Sequence, residues 1–312
     1  MSLYEVVEAF IERVKVTSDG RLDIALHSGG AICPNTKELE AVHNGVMEMG
    51  ISSCGWQIYI IPTGSLFAAP VGGMDGRGMR LWYEMGDGFK LWEKATADYN
   101  IVTLPGVPVQ NFPPELWVFS TVPIISLEDL QGKKMRAMGD GGAILNRLGM
   151  SVAFISPSEI YEALMRGVID MTESTGPSSG VEKGYHEIAD YWYFSGSRAN
   201  SDCGFAWVNK DAWGELPLDL QGILVAELET LGQDDYDTQL FDDMNIIAKL
   251  EDFGINVSKL PADIDKALLA EADKYYAEKS TEDPFYKEVY ESNKAFQEVY
   301  ERYIEYSTPA GK

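Results

Sequence analysis

Two charged side chains, Arg136 and Glu173, stand where a sequence of this kind does chemistry. Arg136 interrupts the short apolar run Met135–Met138, and Glu173 follows the run Ile169–Met171. Both runs read as strands, so both charges fall at or just past strand ends. In an open α/β sheet the crevice beyond the carboxyl ends of the strands is where ligands sit. A guanidinium there presents a planar, two-pronged donor set that matches a carboxylate. Spacing alone leaves a plainer reading open, in which Arg136 is a surface strand residue and Glu173 a loop charge, because charges at strand ends are common.

The stretch that must position them runs from Gly132 to Pro177 and reads as strand, glycine turn, helix, strand, helix, strand. Gly139-Asp140-Gly141-Gly142 is the turn, Ala143–Leu148 a short helix and Ser151–Ile155 a strand. Ser156-Pro157-Ser158-Glu159 reads as a helix start, with a capping Ser, Pro at the first helical position and Glu three residues after the cap. Ile160, Leu164 and Val168 then recur at helical spacing, and Gly176-Pro177 breaks the unit.

Outside this unit, helical patterns cover Tyr4–Val14, Thr36–Met49, Gly78–Asn100, Val181–Tyr193, Leu218–Phe253, Pro261–Tyr276 and Pro284–Tyr306. Strand patterns cover Arg21–His27, Ile51–Ser53, Ile101–Pro105, Phe205–Asn209 and Ile255–Leu260. A helix over Leu218–Phe253 would reach roughly 50 Å, longer than one small lobe. Val109–Ser120, with Pro113-Pro114 and Trp117, and the approach to Phe205 read as two further crossings between lobes.

The chain has 45% hydrophobic and 24% charged residues, enough for a sizeable core and about two domains. A net charge of −24 argues against nucleic acid and against anionic lipid as partners. No run of about 18 apolar residues is present, so no direct membrane insertion is expected. Cys33, Cys54 and Cys203 and the three histidines lack metal-ligand spacing. Neither glycine-rich piece completes a phosphate-binding motif, and no HExxH pair occurs. The acidic pairs Asp234-Asp235 and Asp242-Asp243 read as a solvated helix face.

The order of short patterns is more specific than any one residue. L-x-D-L-x-G-K-K-M-R starts at Leu127, L-x-x-L-G-M-S-V at Leu145, P-x-E-I-Y-x-A-L-x-x-G-V-I-D at Pro157 and T-E-x-x-G-P at Thr172. V-N-K-D-A-W follows at Val208, L-P-L-D-L-Q at Leu216 and D-P-F-Y-K-E-V-Y-E-S at Asp283. In this order they resemble the solute-binding subunits of TRAP (tripartite ATP-independent periplasmic) transporters, and most closely the subclass that takes 2-oxo and hydroxy monocarboxylates. The resemblance implies an α/β, two-lobed, type II-like binding-protein fold, with mixed sheets flanked by helices and a long helix spanning both lobes. The expected lobes are residues 1–117 with 206–246, and 118–205 with 247–312. It further implies a periplasmic receptor, not an enzyme, that closes on a small organic acid and delivers it to membrane permease subunits; an enzyme acting on a carboxylate on the same scaffold and a ligand-sensing module without transport are the alternatives. A leader and a first strand usually precede the opening helix in this family; neither is visible, so a shortened N-terminus is expected.

On this resemblance Arg136 is the carboxylate anchor, and Glu173 matches an acid of the cleft, with Ser174 where the family has an aromatic. Trp56 falls near an aromatic that walls the pocket; taken alone, a Trp there serves equally as a lid on the core. Several members bind through a cation held by a Gln of the first crossing, the cleft Glu, and an acidic or amide residue before V-N-K. Aligned on Trp117 the Gln position falls on Pro113, and aligned on Val208 the strand position falls on Phe205. A hard cation wants about six to eight oxygens, so no metal and no cofactor is expected. Ser174 frees volume and Phe205 adds an apolar wall, which points to a branched or aromatic 2-oxo acid; an uncompensated Glu173 leaves a zwitterionic amino acid open.

Overall fold

The computed structural model describes residues 3–198 and 200–308. Runs of strand formers pair into two sheets. In the first, β9 (Cys203–Asn209) is central, with β1 (Met49–Ser53) antiparallel on one edge and β2 (Ile101–Leu104) and β3 (Gln110–Asn111) antiparallel on the other. Every residue of β9 is buried. Both faces are covered, which is why its sequence runs without a polar side chain from Cys203 to Val208 and does not alternate. The second sheet has the order β10 (Asn256–Lys259), β8 (Tyr191–Phe194), β4 (Val118–Ser120), β7 (Met171–Thr172), β5 (Lys134–Arg136), β6 (Ser151–Ala153). It is mixed: β10–β8, β7–β5 and β5–β6 are parallel, and β4 runs antiparallel to both neighbours.

Around the first sheet lie α1 (Leu3–Thr17), α2 (Glu38–His43), α3 (Gly64–Ala68), α4 (Gly76–Met85), α5 (Gly88–Ala95) and α9 (Lys210–Glu215). Around the second lie α6 (Gly139–Arg147), α7 (Ile160–Met165) and α8 (Pro177–Glu182). The chain passes between the layers through residues 112–117, residues 195–198 and 200–202, and α10 (Leu218–Ile247). The 30 residues of α10 reach about 45 Å. It packs on α1 and β3 at one end and on α8 at the other. The terminal pair also joins both layers: α11 (Ala262–Glu282) lies on α6, and α12 (Pro284–Ser307) on α3, α4 and α5.

The first core is aromatic. Phe205 meets Tyr83 edge-on at 4.9 Å and stacks on Trp92 at 5.8 Å between ring centres. The second core centres on Phe119, whose ring meets Trp192 at 4.7 Å and Tyr185 at 5.1 Å. Among the described residues no helix is long and apolar enough to cross a membrane.

Several expected elements differ. Arg21–His27 keeps its alternating half-burial at 22, 24 and 26 but forms no ladder. A cavity of about 1010 Å³ is lined by both this segment and β1. The helix expected over Thr36–Met49 ends at His43, because Gly45 turns with φ +69°, and Val46 is exposed. Gly78–Asn100 is two helices, broken at Gly86-Asp87. The end of Val181–Tyr193 is strand β8, where four successive aromatics favour the pleated state. Gly139–Gly142 is the first turn of α6, not a free turn. The helix from Leu218 stops at Ile247, with a separate turn at Leu250–Phe253. Val168 is exposed, whereas Asp235 and Asp243 are buried. Asp243 leaves the solvated face because its Oδ1 accepts from Ser178 N at 2.8 Å in the first turn of α8.

Candidate functional site

Between the two sheets lies a cavity of about 450 Å³. The first layer lines it with Trp56, Ser65 and Gln110, the second with Arg136, Glu173 and Ser174, and the crossings with Glu115, Arg198 and Asp202. The strand register sets the central pair. Arg136 ends β5 opposite Thr172 of β7, so Glu173 emerges one step further on, and its N–H donates to Arg136 O at 3.2 Å.

Backbone carbonyls then aim the guanidinium. Arg136 Nε donates to Ile155 O at 3.2 Å and Nη1 to Glu173 O at 3.1 Å. Its Cζ lies 5.9 Å from the Trp56 ring and 5.7 Å from the Phe154 ring, and those two rings meet edge-on at 6.0 Å. The group is 4% exposed, and burial lowers its pKa, opposed first by the Glu115 carboxylate. The Glu173 carboxylate is also engaged: Oε1 accepts from Met138 N at 3.0 Å, and Oε2 meets Arg198 Nη2.

Thus Arg136, Glu173, Ser174 and Trp56 come together at one cavity. Trp117 and Phe205 do not line it; both are fully buried in the first core, Phe205 among the rings of Tyr83, Phe89 and Trp92. Pro113 does not line it either. Acidic side chains face the cavity two residues after Pro113 and three before Phe205, at Glu115 and Asp202. The oxygens expected to be missing at the two crossings are therefore present, displaced along the chain.

Glu115, Asp202 and Arg198 were not legible from periodicity, because crossing segments have none. The available sign was charge in segments that must thread between two lobes. Burial, followed by the nearby Asp202, raises the Glu115 carboxyl to about 7. Asp202 rises to about 6 through burial, against the opposing effect of Ser53, whose Oγ donates to Asp202 Oδ1 at 2.5 Å. Burial brings Arg198 down to about 10. Asp140 belongs to the wall: it accepts from Tyr275 Oη at 2.9 Å and Tyr286 Oη at 2.7 Å, joining α6 to α11 and α12. Two buried guanidinium groups, that of Arg136 under aromatic cover, form a site for an anion with several oxygens.

The family model for bacterial extracellular solute-binding proteins, family 7, matches residues 2–283. A monocarboxylate 2-oxoacid-binding periplasmic protein of Nostoc sp. (strain PCC 7120) is 30% identical over 216 residues, 69% of this chain and 58% of that relative. The chain thus spans less than two thirds of that relative's length. A TRAP transporter solute-binding protein from Bordetella bronchiseptica RB50 superposes with a TM-score of 0.92 at 26% identity, covering 98% of this chain and 90% of that one; it holds calcium and picolinate. One from Pseudoalteromonas atlantica T6c, with sodium and pyruvate, gives 0.91 at 26%, covering 98% and 92%. The α/β architecture of two layers flanked by helices is therefore that of the TRAP periplasmic binding proteins.

Proposed function

Because the chain belongs to the bacterial extracellular solute-binding proteins of family 7, we propose that it is the periplasmic receptor of a TRAP transporter. It binds a small 2-oxo or 2-hydroxy monocarboxylate in the cavity and hands it to the membrane permease subunits. The observation that carries this reading is Arg136, buried at a strand end, aimed by two carbonyls and roofed by Trp56 and Phe154. A charge-assisted contact of this kind contributes about 1.5–3 kcal/mol.

The pyruvate and picolinate of the solved relatives support the ligand class. Ser174 leaves room beside Glu173, which favours a branched or aromatic acid over pyruvate itself. With Phe205 in the core, the aromatic side chains left to the cavity wall include Trp56 and Phe112. Closure brings residues 1–117 with 206–246 toward 118–205 with 247–312, hinged at the crossings. Since α12 lies on α3–α5, the α11–α12 pair straps the lobes together at the back. Binding without turnover follows from the family, which is one of solute-binding proteins.

The test is calorimetric titration with pyruvate, 2-oxoisovalerate, phenylpyruvate, succinate and leucine, and analysis of each acid after overnight incubation. Saturable binding of 2-oxo acids, with the acid recovered unchanged, is expected. Preference for succinate or leucine would overturn the substrate class, and a consumed acid would overturn the receptor reading.

A further inference from the structure

The solved relatives described above hold a calcium or sodium ion with their ligand. Among the described residues no three His, Cys, Asp or Glu side chains gather as a metal cage. Glu173, the acid nearest the anchor, already has both oxygens occupied, by Met138 N and by the Arg198 guanidinium. A divalent ion at that carboxylate would sit against Arg198 and be repelled by it.

Arg198 is the unusual group. It is 4% exposed and lines the cavity, yet its Nε and Nη1 are buried with no acceptor. Orphaned donors of a buried cation call for acceptor oxygens, and a bound metal supplies none. The guanidinium also has a built seat. A Cβ on Gly141, in the first turn of α6, would come within 2.8 Å of Arg198 Nε. Glycine at 141 therefore leaves the space that the guanidinium fills, which gives the glycine-rich stretch a role in the site.

We propose that Arg198 is the site's internal cation: its guanidinium, in place of a metal ion, meets the 2-oxo or 2-hydroxy oxygen of a ligand whose carboxylate rests on Arg136. This rests on the receptor reading above and departs from it in one respect, since it predicts cation-independent binding. Burial lowers the pKa of Arg198 only to about 10, so it stays charged at neutral pH.

The experiment is titration of the full chain with pyruvate and with phenylpyruvate in EDTA, and again with added calcium or sodium. Affinity is expected to agree within about twofold across these conditions. Arg198→Met should weaken binding at least about tenfold, as loss of a charged hydrogen-bond partner does. Gly141→Ala should weaken it less, by pushing the guanidinium aside without removing its charge. Gly141→Ala suits a helix, so it keeps the test open if Arg198→Met fails to fold. Wild-type binding that EDTA abolishes and calcium or sodium restores would overturn the inference while leaving the receptor reading intact. So would a folded Arg198→Met that binds as wild type, or a folded Gly141→Ala that does so when Arg198→Met is unfolded. No binding of any acid under any condition would overturn both.

Discussion

The two walls of the cavity are built from opposite chemistries. The second layer supplies Arg136 and Glu173, each fixed through backbone groups just past the ends of strands. The first layer supplies Trp56, Ser65, Ala68 and Ala69, which carry shape and hydroxyls but no charge. Behind that first wall stands the densest aromatic core of the molecule, around Phe205 and Trp92. Charge is buried where strand ends offer main-chain partners, and the opposing wall is left free to cover it. The second layer should therefore set what binds, and the first how long it stays.

The largest effect tests the core behind the first wall. Phe205→Ala should destabilise the fold by about 3–5 kcal/mol in urea unfolding, with affinity for 2-oxo acids unchanged in the remaining folded protein. A tenfold loss of affinity without loss of stability would return Phe205 to the cleft. Next, Arg136→Lys should cost about 1.5–3 kcal/mol of binding despite retaining its charge, read by calorimetry, with little change in melting temperature. Equal binding by the two proteins would mean that a point charge suffices and that the two-carbonyl alignment is incidental.

Glu115→Gln is a test at the crossing between the walls. The folded-state carboxyl, at about 7 against an ordinary 4.5, holds its proton more tightly than in the unfolded chain. Stability from this group is thus full at low pH, falls as pH rises from about 4.5 through about 7, and is flat above. The substitution should remove part of that fall, on the order of 1–2 kcal/mol at pH 8. The check is a series of denaturant midpoints, in which an unchanged slope would place Glu115 in a better-solvated setting. Trp56→Ala should have the smallest effect, about 0.5–1 kcal/mol of affinity, visible mainly as faster ligand release in stopped flow.

The same contrast separates what could be read from the sequence and what could not. Arg136 and Glu173 were legible because strand, helix and turn patterns around them have periods, and a strand end is a definable place. The buried charges at Glu115, Arg198 and Asp202 sit in extended crossings, where no period marks which side chain faces inward. An offset of two or three residues there exchanges a cavity acid for a core proline or phenylalanine. Arg21–His27 failed for another reason. Its alternation was correct for half-burial at 22, 24 and 26, but a strand also needs a hydrogen-bonded neighbour, which local sequence does not specify. The breaks at Gly45 and Gly86 cut two patterns that apolar spacing alone would have continued.

Trp56 has an optical consequence. Of the seven tryptophans, five (Trp82, Trp92, Trp117, Trp192 and Trp207) are locked in the cores, and only Trp56 lines the cavity. Its indole lies beside a guanidinium whose charge a bound carboxylate would neutralise. Ligand arrival should therefore shift the emission of one fluorophore over a constant background, giving the protein an intrinsic reporter of occupancy that needs no label.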